Sequence, residues 1–170
     1  MKFLTVMSAF LPTKVVCESV DGYKMSLGRS ELDSSTAIVF PWSEVSNHTG
    51  VVPTEYLSSH EDDFACPKGR GPNPLDCPAT MTEIAALAKG GFIDVAAESC
   101  VSISKACCEV LVCAPSGEKV HVKSEEVMGR MWSPLAIKCV SGGRGGLWHD
   151  KDIKLYIQMS RPVVEELCAA

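Results

Sequence analysis

The stretches KVVCESVDGYKMSLGRSEL (Lys14–Leu32) and EVLVCAPSGEKVHVKSEEV (Glu109–Val127) fall into one gapless register 95 residues apart. Val15-Val16 lies over Val110-Leu111, Gly22 over Gly117, Lys24 over Lys119, and Met25 and Leu27 over Val120 and Val122. Each reads as apolar strand, tight turn, alternating strand. Asp21-Gly22 supplies the positive backbone angles of a two-residue hairpin turn, and Pro115-Ser116-Gly117 offers a type I turn closed by a left-handed glycine. After each turn apolar residues recur at every second position, the period of a strand with one buried face. Two similar antiparallel hairpins are therefore expected, with Met25, Leu27, Val120 and Val122 facing the core. Only four of the nineteen aligned positions are identical, so the likeness is one of physical pattern, not of demonstrated duplication.

Outward from these segments, Thr36–Phe40 reads as a strand stopped by Pro41, with Trp42 packed at its end. Thr80-Met81-Thr82-Glu83 fits a capping box opening a helix over 81–89, which Gly90-Gly91 would close. Phe92–Val95 and Val101–Ile103 read as strands, Ser124–Met128 as a helical turn, Leu135–Val140 as an alternating strand and Ile153–Met159 as another. Ser160 with Pro162 suits the start of a C-terminal helix. The expected architecture is α+β: residues 1–170 as a single compact domain, with a mostly antiparallel twisted sheet or partly open β-barrel. Two irregular stretches interrupt it. One is the long Ser/Pro/Gly-rich excursion 43–78, the other the glycine-rich loop 141–146. Excursions of the first kind are usually functional or mobile.

At 170 residues the chain can bury a sizeable core without covalent staples. A net charge of -5 argues against general nucleic-acid binding, because phosphate affinity comes mostly from clustered Lys and Arg. No apolar run approaches the roughly 20 residues of a membrane-spanning helix. Met1-Lys2 followed by Phe3–Leu11 has the charged and apolar regions of a secretory signal, but Pro12-Thr13-Lys14 lacks a small-x-small cleavage site. The segment is read as a first strand or short buried helix, secretion being the alternative. Nine cysteines, an odd number with many aliphatic neighbours, read as reduced core residues of an intracellular protein.

Three functional readings follow. The first is a non-catalytic protein-interaction or assembly subunit that uses the 43–78 segment as its contact surface, with Trp42, Arg70 and Arg144 as interaction residues and no cofactor. Arg144 enters through Gly142–Gly146, whose backbone amides could receive an anion although no Walker or dinucleotide spacing is present. The second is a small Cys/His thiol enzyme, cysteine-protease-like, with Cys66 as nucleophile and His48 or His60 as base, since a thiolate needs a nearby imidazole. The third is a zinc-stabilised binding module with His60, Cys66 and Cys77 as ligands, which a loop can bring together. Cys107, Cys108 and Cys113 cannot share one zinc, because adjacent strand residues face opposite ways and Cys107 lies about 20 Å from Cys113 at roughly 3.3 Å per residue. No Cys-x-x-Cys knuckle, Gly-x-Ser-x-Gly elbow or His-Glu-x-x-His helix occurs. His121, between Lys119 and Lys123, reads as solvated surface.

Overall fold

In the computed structural model the described residues are 24–25, 37–57, 64–150, 152, 154–163 and 168. Seven strands form one open antiparallel sheet: β1 (Lys24–Met25), β2 (Ala37–Pro41), β3 (Phe64–Ala65), β5 (Ser99–Lys105), β6 (Cys108–Ala114), β8 (Gly146–His149) and β9 (Tyr156–Ser160). Their spatial order is β1-β2-β5-β6-β9-β8-β3, so the two edges never meet and no barrel closes. A separate two-stranded ribbon pairs β4 (Phe92–Val95) with β7 (Val120–Lys123). The helices are α1 (Val45–Thr49), α2 (Thr54–Leu57), α3 (Cys77–Ala86) and α4 (Ser124–Arg130). A π-helical segment, Met131–Cys139, continues α4 across a break at Ser133. That residue is extended (φ -138°, ψ 116°) because the ring of Pro134 disfavours helical backbone before it. The chain is thus a single α+β domain with an antiparallel sheet.

Strand β6 is buried at all seven positions, which explains its nearly unbroken apolar run. Its residues divide by pleat between two cores. Cys108, Val110 and Val112 join Met81, Ile84, Leu135, Ile157 and Met159 beneath α3 and the π-helical segment. Leu111 and Cys113 join Phe40, Val45, Leu147 and Tyr156 beneath the 42–57 segment. Each fully buried aliphatic side chain stabilises the fold by about 1.5–3 kcal/mol.

Four sequence expectations need correction. Val110–Val122 does turn between two strands, yet they do not pair with each other: β6 lies between β5 and β9, and β7 pairs with β4. The true hairpin is β5–β6, with Lys105 opposite Cys108 and Ala106 at φ 47° in the two-residue turn. Val120 and Val122 still pack, half-buried, against the core. Leu135–Val140 is helical, with Met131, Leu135 and Cys139 buried at i, i+4 and i+8. Thr80 does not cap α3 but sits inside it, fully buried, its hydroxyl within reach of the Asp76 and Cys108 carbonyls. The helix starts earlier because Pro78 suits its first turn. Gly90 and Gly91, at φ 61° and 87°, form the tight turn from Lys89 to Phe92 and not a helix cap. The first expected hairpin beyond Lys24–Met25, the 1–11 segment, and residues 164–167 of the expected C-terminal helix lie outside the described residues.

The reduced-cysteine expectation also fails. Disulfides join Cys66 to Cys139, Cys77 to Cys108, Cys100 to Cys113 and Cys107 to Cys168, with Cα separations of 5.3, 5.1, 4.0 and 4.5 Å. Pleat alternation sorts them. Cys108 faces α3 and meets Cys77 there, whereas Cys113 faces the other core and meets Cys100, its direct cross-strand partner. Four such bridges fit an oxidising environment, and hence the secreted alternative better than the intracellular reading. No helix among the described residues is long and apolar enough to cross a membrane.

Candidate functional site

The sheet face beneath the 42–57 segment carries an unusual polar row. Glu109 lies directly opposite Ser160 on β9, with Ser102 of β5 diagonal to it on the same face. Glu109 is 2% exposed. Its Oε1 accepts hydrogen bonds from Ser102 Oγ (2.6 Å) and from His48 Nε2 (2.7 Å), so α1 is clasped to the sheet by an ion pair. Phe40 packs its ring 4.2 Å from the His48 ring. Further along, Tyr156 donates to Gln158 Oε1 (2.6 Å), and burial pushes its phenol above the ordinary range. Five buried side-chain polar atoms among the described residues lack a partner, and four of them belong to this face: Glu109 Oε2, His149 Nε2, Gln158 Nε2 and Ser160 Oγ.

This row is not a hydrolytic triad. A nucleophilic hydroxyl must give its proton to the imidazole. Here the Ser102 hydroxyl and the His48 imidazole both give protons to the same carboxylate oxygen, so neither activates the other.

The clasp makes stability depend on pH. The hydrogen bond and charge of Glu109 raise the His48 pKa above its ordinary 6.5, against the opposing effect of burial. A raised histidine pKa contributes stability that is fully present below pH 6.5 and is lost as pH rises through the folded value. Urea midpoints should therefore fall between pH 6 and pH 8.5 in the natural protein. In His48→Gln that part of the fall should vanish; an identical fall in both proteins would place the titration elsewhere.

The thiol nucleophile of the second reading is not available at residue 66. Cys66 is bonded to Cys139, which leaves no thiol to ionise, and His48 faces Glu109 instead. The zinc set breaks for the same reason: Cys66 and Cys77 belong to different disulfides. His60 lies outside the described residues. Trp42 packs edge-on against Tyr156 with ring centroids 4.9 Å apart and lines neither of the cavities described next. His121 sits on the exposed ribbon, hydrogen-bonded to Asp94 at 2.7 Å and stacked on Phe92.

Arg70, by contrast, lines two neighbouring cavities. Segment 66–73 runs from the Cys66–Cys139 bridge across the glycine-rich loop, with Gly71 N donating to Gly143 O at 2.8 Å. Gly71 is needed for this approach. A Cβ there would lie 2.2 Å from the Arg144 carbonyl carbon, a backbone atom that cannot swing away. Overpacking of this kind costs about 1–3 kcal/mol. Gly71→Ala should lose about 2 kcal/mol by urea denaturation, and an unchanged midpoint would show that the segment is not held. Two amides of the glycine-rich loop are committed internally, Gly143 N to Val140 O and Arg144 N to Cys139 O, so they form no anion nest. The Arg144 side chain is exposed, between Gly143 and Gly145.

Two adjoining cavities open beside this segment. The larger, about 410 Å³, is lined by Arg70, Asn73, Asp76, Gly143, Arg161 and the Cys107–Cys168 bridge. The smaller, about 220 Å³, is lined by Lys68, Arg70, Ser160 and Arg161 among others, with Thr49 of α1 at its wall. Arg70 and Arg161 thus border both. None of the ion pairs among the described residues includes Lys68, Arg70 or Arg161. Arg161 and Glu109 carried no distinguishing motif, although an acidic residue inside the run Cys108–Ala114 is itself a signal of a paired buried charge.

No protein family, curated protein or solved structure matches the chain. Its function is therefore read from this geometry.

Proposed function

We propose that the chain is a non-catalytic binding protein of an oxidising compartment that engages a protein partner through the surface formed by Lys68–Asn73 and Arg161. The observation that carries this reading is the placement of Arg70 and Arg161 on the shared wall of two open cavities, without an ion pair among the described residues. Disulfides anchor that wall on two sides, Cys66–Cys139 before the segment and Cys107–Cys168 beside Arg161. A surface fixed before binding loses little conformational entropy on association. Convergent charged groups without an activated nucleophile suit recognition better than bond cleavage.

Placing a photoactivatable benzophenone side chain at position 68, and in a control at position 121 on the β4–β7 ribbon, tests this. The position-68 protein should give an adduct of one discrete mass in an extract of the cells that produce it, abolished by Arg70→Glu. Equal adducts from both positions, or none from position 68, would count against the proposal.

A further inference from the structure

Lys68, Arg70 and Arg161 concentrate positive charge around one concavity of a chain whose net charge is -5. Such a local reversal marks what the surface attracts. The footprint is small, so it does not suit a long polyanion, whose affinity grows with the number of phosphates neutralised. It is also mixed in character. The larger cavity adds the Asp76 carboxylate beside the two arginines. Its Oδ2 accepts from Cys107 N (3.0 Å), as Asn73 Oδ1 does from Leu75 N (3.2 Å), which leaves Asp76 Oδ1 to favour a ligand bringing an N–H donor together with its negative charge. At the smaller cavity Ser160, 4% exposed, keeps a hydroxyl without a partner. A peptide backbone carrying acidic side chains answers all of these features at once. Arginine suits this task better than lysine, because its planar fork meets a carboxylate with two parallel hydrogen bonds.

We infer that the partner presents an extended peptide segment bearing two carboxylate side chains, which Arg70 and Arg161 receive with Lys68 in support, while backbone N–H groups of the segment meet Asp76. This rests on the reading of the Lys68–Asn73 surface as the contact surface. The neighbouring cavities supply one seat for each acidic residue.

The test uses the oxidised full chain, isotope-labelled for NMR, with the blocked peptide acetyl-Gly-Glu-Gly-Glu-Gly-amide as probe. Its glutamine counterpart, inorganic phosphate and a sulfated disaccharide serve as the other arms. The Glu peptide should shift the amides of Arg70, Gly71, Gly143 and Arg161, bind at least tenfold tighter than the Gln peptide, and weaken as salt is raised. Arg70→Ala and Arg161→Ala should each lower its affinity about fivefold or more, with the remaining spectrum unchanged as proof of folding. Equal binding of the Gln peptide, shifts confined to other surfaces, or tighter binding of phosphate or the sulfated sugar would overturn the inference. If the peptide fails while position 68 still cross-links a discrete partner, the acidic-peptide chemistry is wrong and the contact surface stands. Failure of both removes the surface itself.

Discussion

Replacing Cys66 and Cys139 together by alanine should lower the unfolding free energy by about 4 kcal/mol, and the same change at Cys100 and Cys113 by about 3 kcal/mol. The two bridges close stretches of 73 and 13 residues, and the entropy removed from the unfolded chain grows with the logarithm of that length. With Cys77–Cys108 still closed the loop behind Cys66–Cys139 is effectively shorter, but the logarithm makes this a correction of only a few tenths. Cys100 and Cys113 are fully buried, so their replacement also removes sulfur packed against Phe40, Leu111 and Tyr156. Equilibrium urea unfolding would measure both effects. If either pair can be removed with a loss below about 1 kcal/mol, the bridges decorate a fold that other forces hold. The Cys66–Cys139 variant should also unseat segment 66–73, which begins at that bridge, and so weaken the cross-link from position 68.

His48→Ala should cost about 3 kcal/mol at pH 6. Removing one partner of a buried ion pair leaves the other charge unpaired, a loss of about 3–5 kcal/mol in typical cases. The lower end applies because the His48 side chain is 31% exposed while that of Glu109 is 2% exposed. Glu109→Gln should cost less, since an amide still accepts from Ser102 and the freed imidazole can lose its proton to water. The double variant His48→Ala/Glu109→Gln should therefore recover part of the His48→Ala loss, because no charge is left buried. Strict additivity of the two single changes would show that the 2.7 Å contact carries no coupling.

Faces were legible in the sequence, and neighbours were not. Phe92–Val95 and Val101–Ile103 formed strands as their composition requires, and Val120 and Val122 turned inward as period two demands. Alternation says which side of a strand is buried but not which strand lies beside it. The Val110–Val122 segment thus gave two correct strands and an incorrect pairing. Leu135–Val140 failed for a different reason: Leu135 and Cys139, four apart, fit the helical period as well as period two, and over so short a run only Ile137 between them tells the two apart. Met131 and the 63% exposure of Ile137 decide for the helix. The cysteines misled because aliphatic neighbours surround a buried disulfide as readily as a buried thiol. Of the residues lining the cavities, Arg70 was singled out in the sequence only by lying in the 43–78 segment, whereas Arg161 joins it because β9 ends beside the glycine-rich loop.

A disulfide-locked scaffold without a free thiol among the described residues underlies the proposed binding surface, and native alkylation followed by non-reducing peptide mapping tests that most directly. Iodoacetamide applied to the folded, unreduced protein should leave Cys66, Cys77, Cys100, Cys107, Cys108, Cys113, Cys139 and Cys168 unlabelled. The map should contain linked peptides 66–139, 77–108, 100–113 and 107–168. Rapid labelling of Cys66 near neutral pH, with Cys139 also free, would contradict the account and restore thiol chemistry to the 43–78 segment.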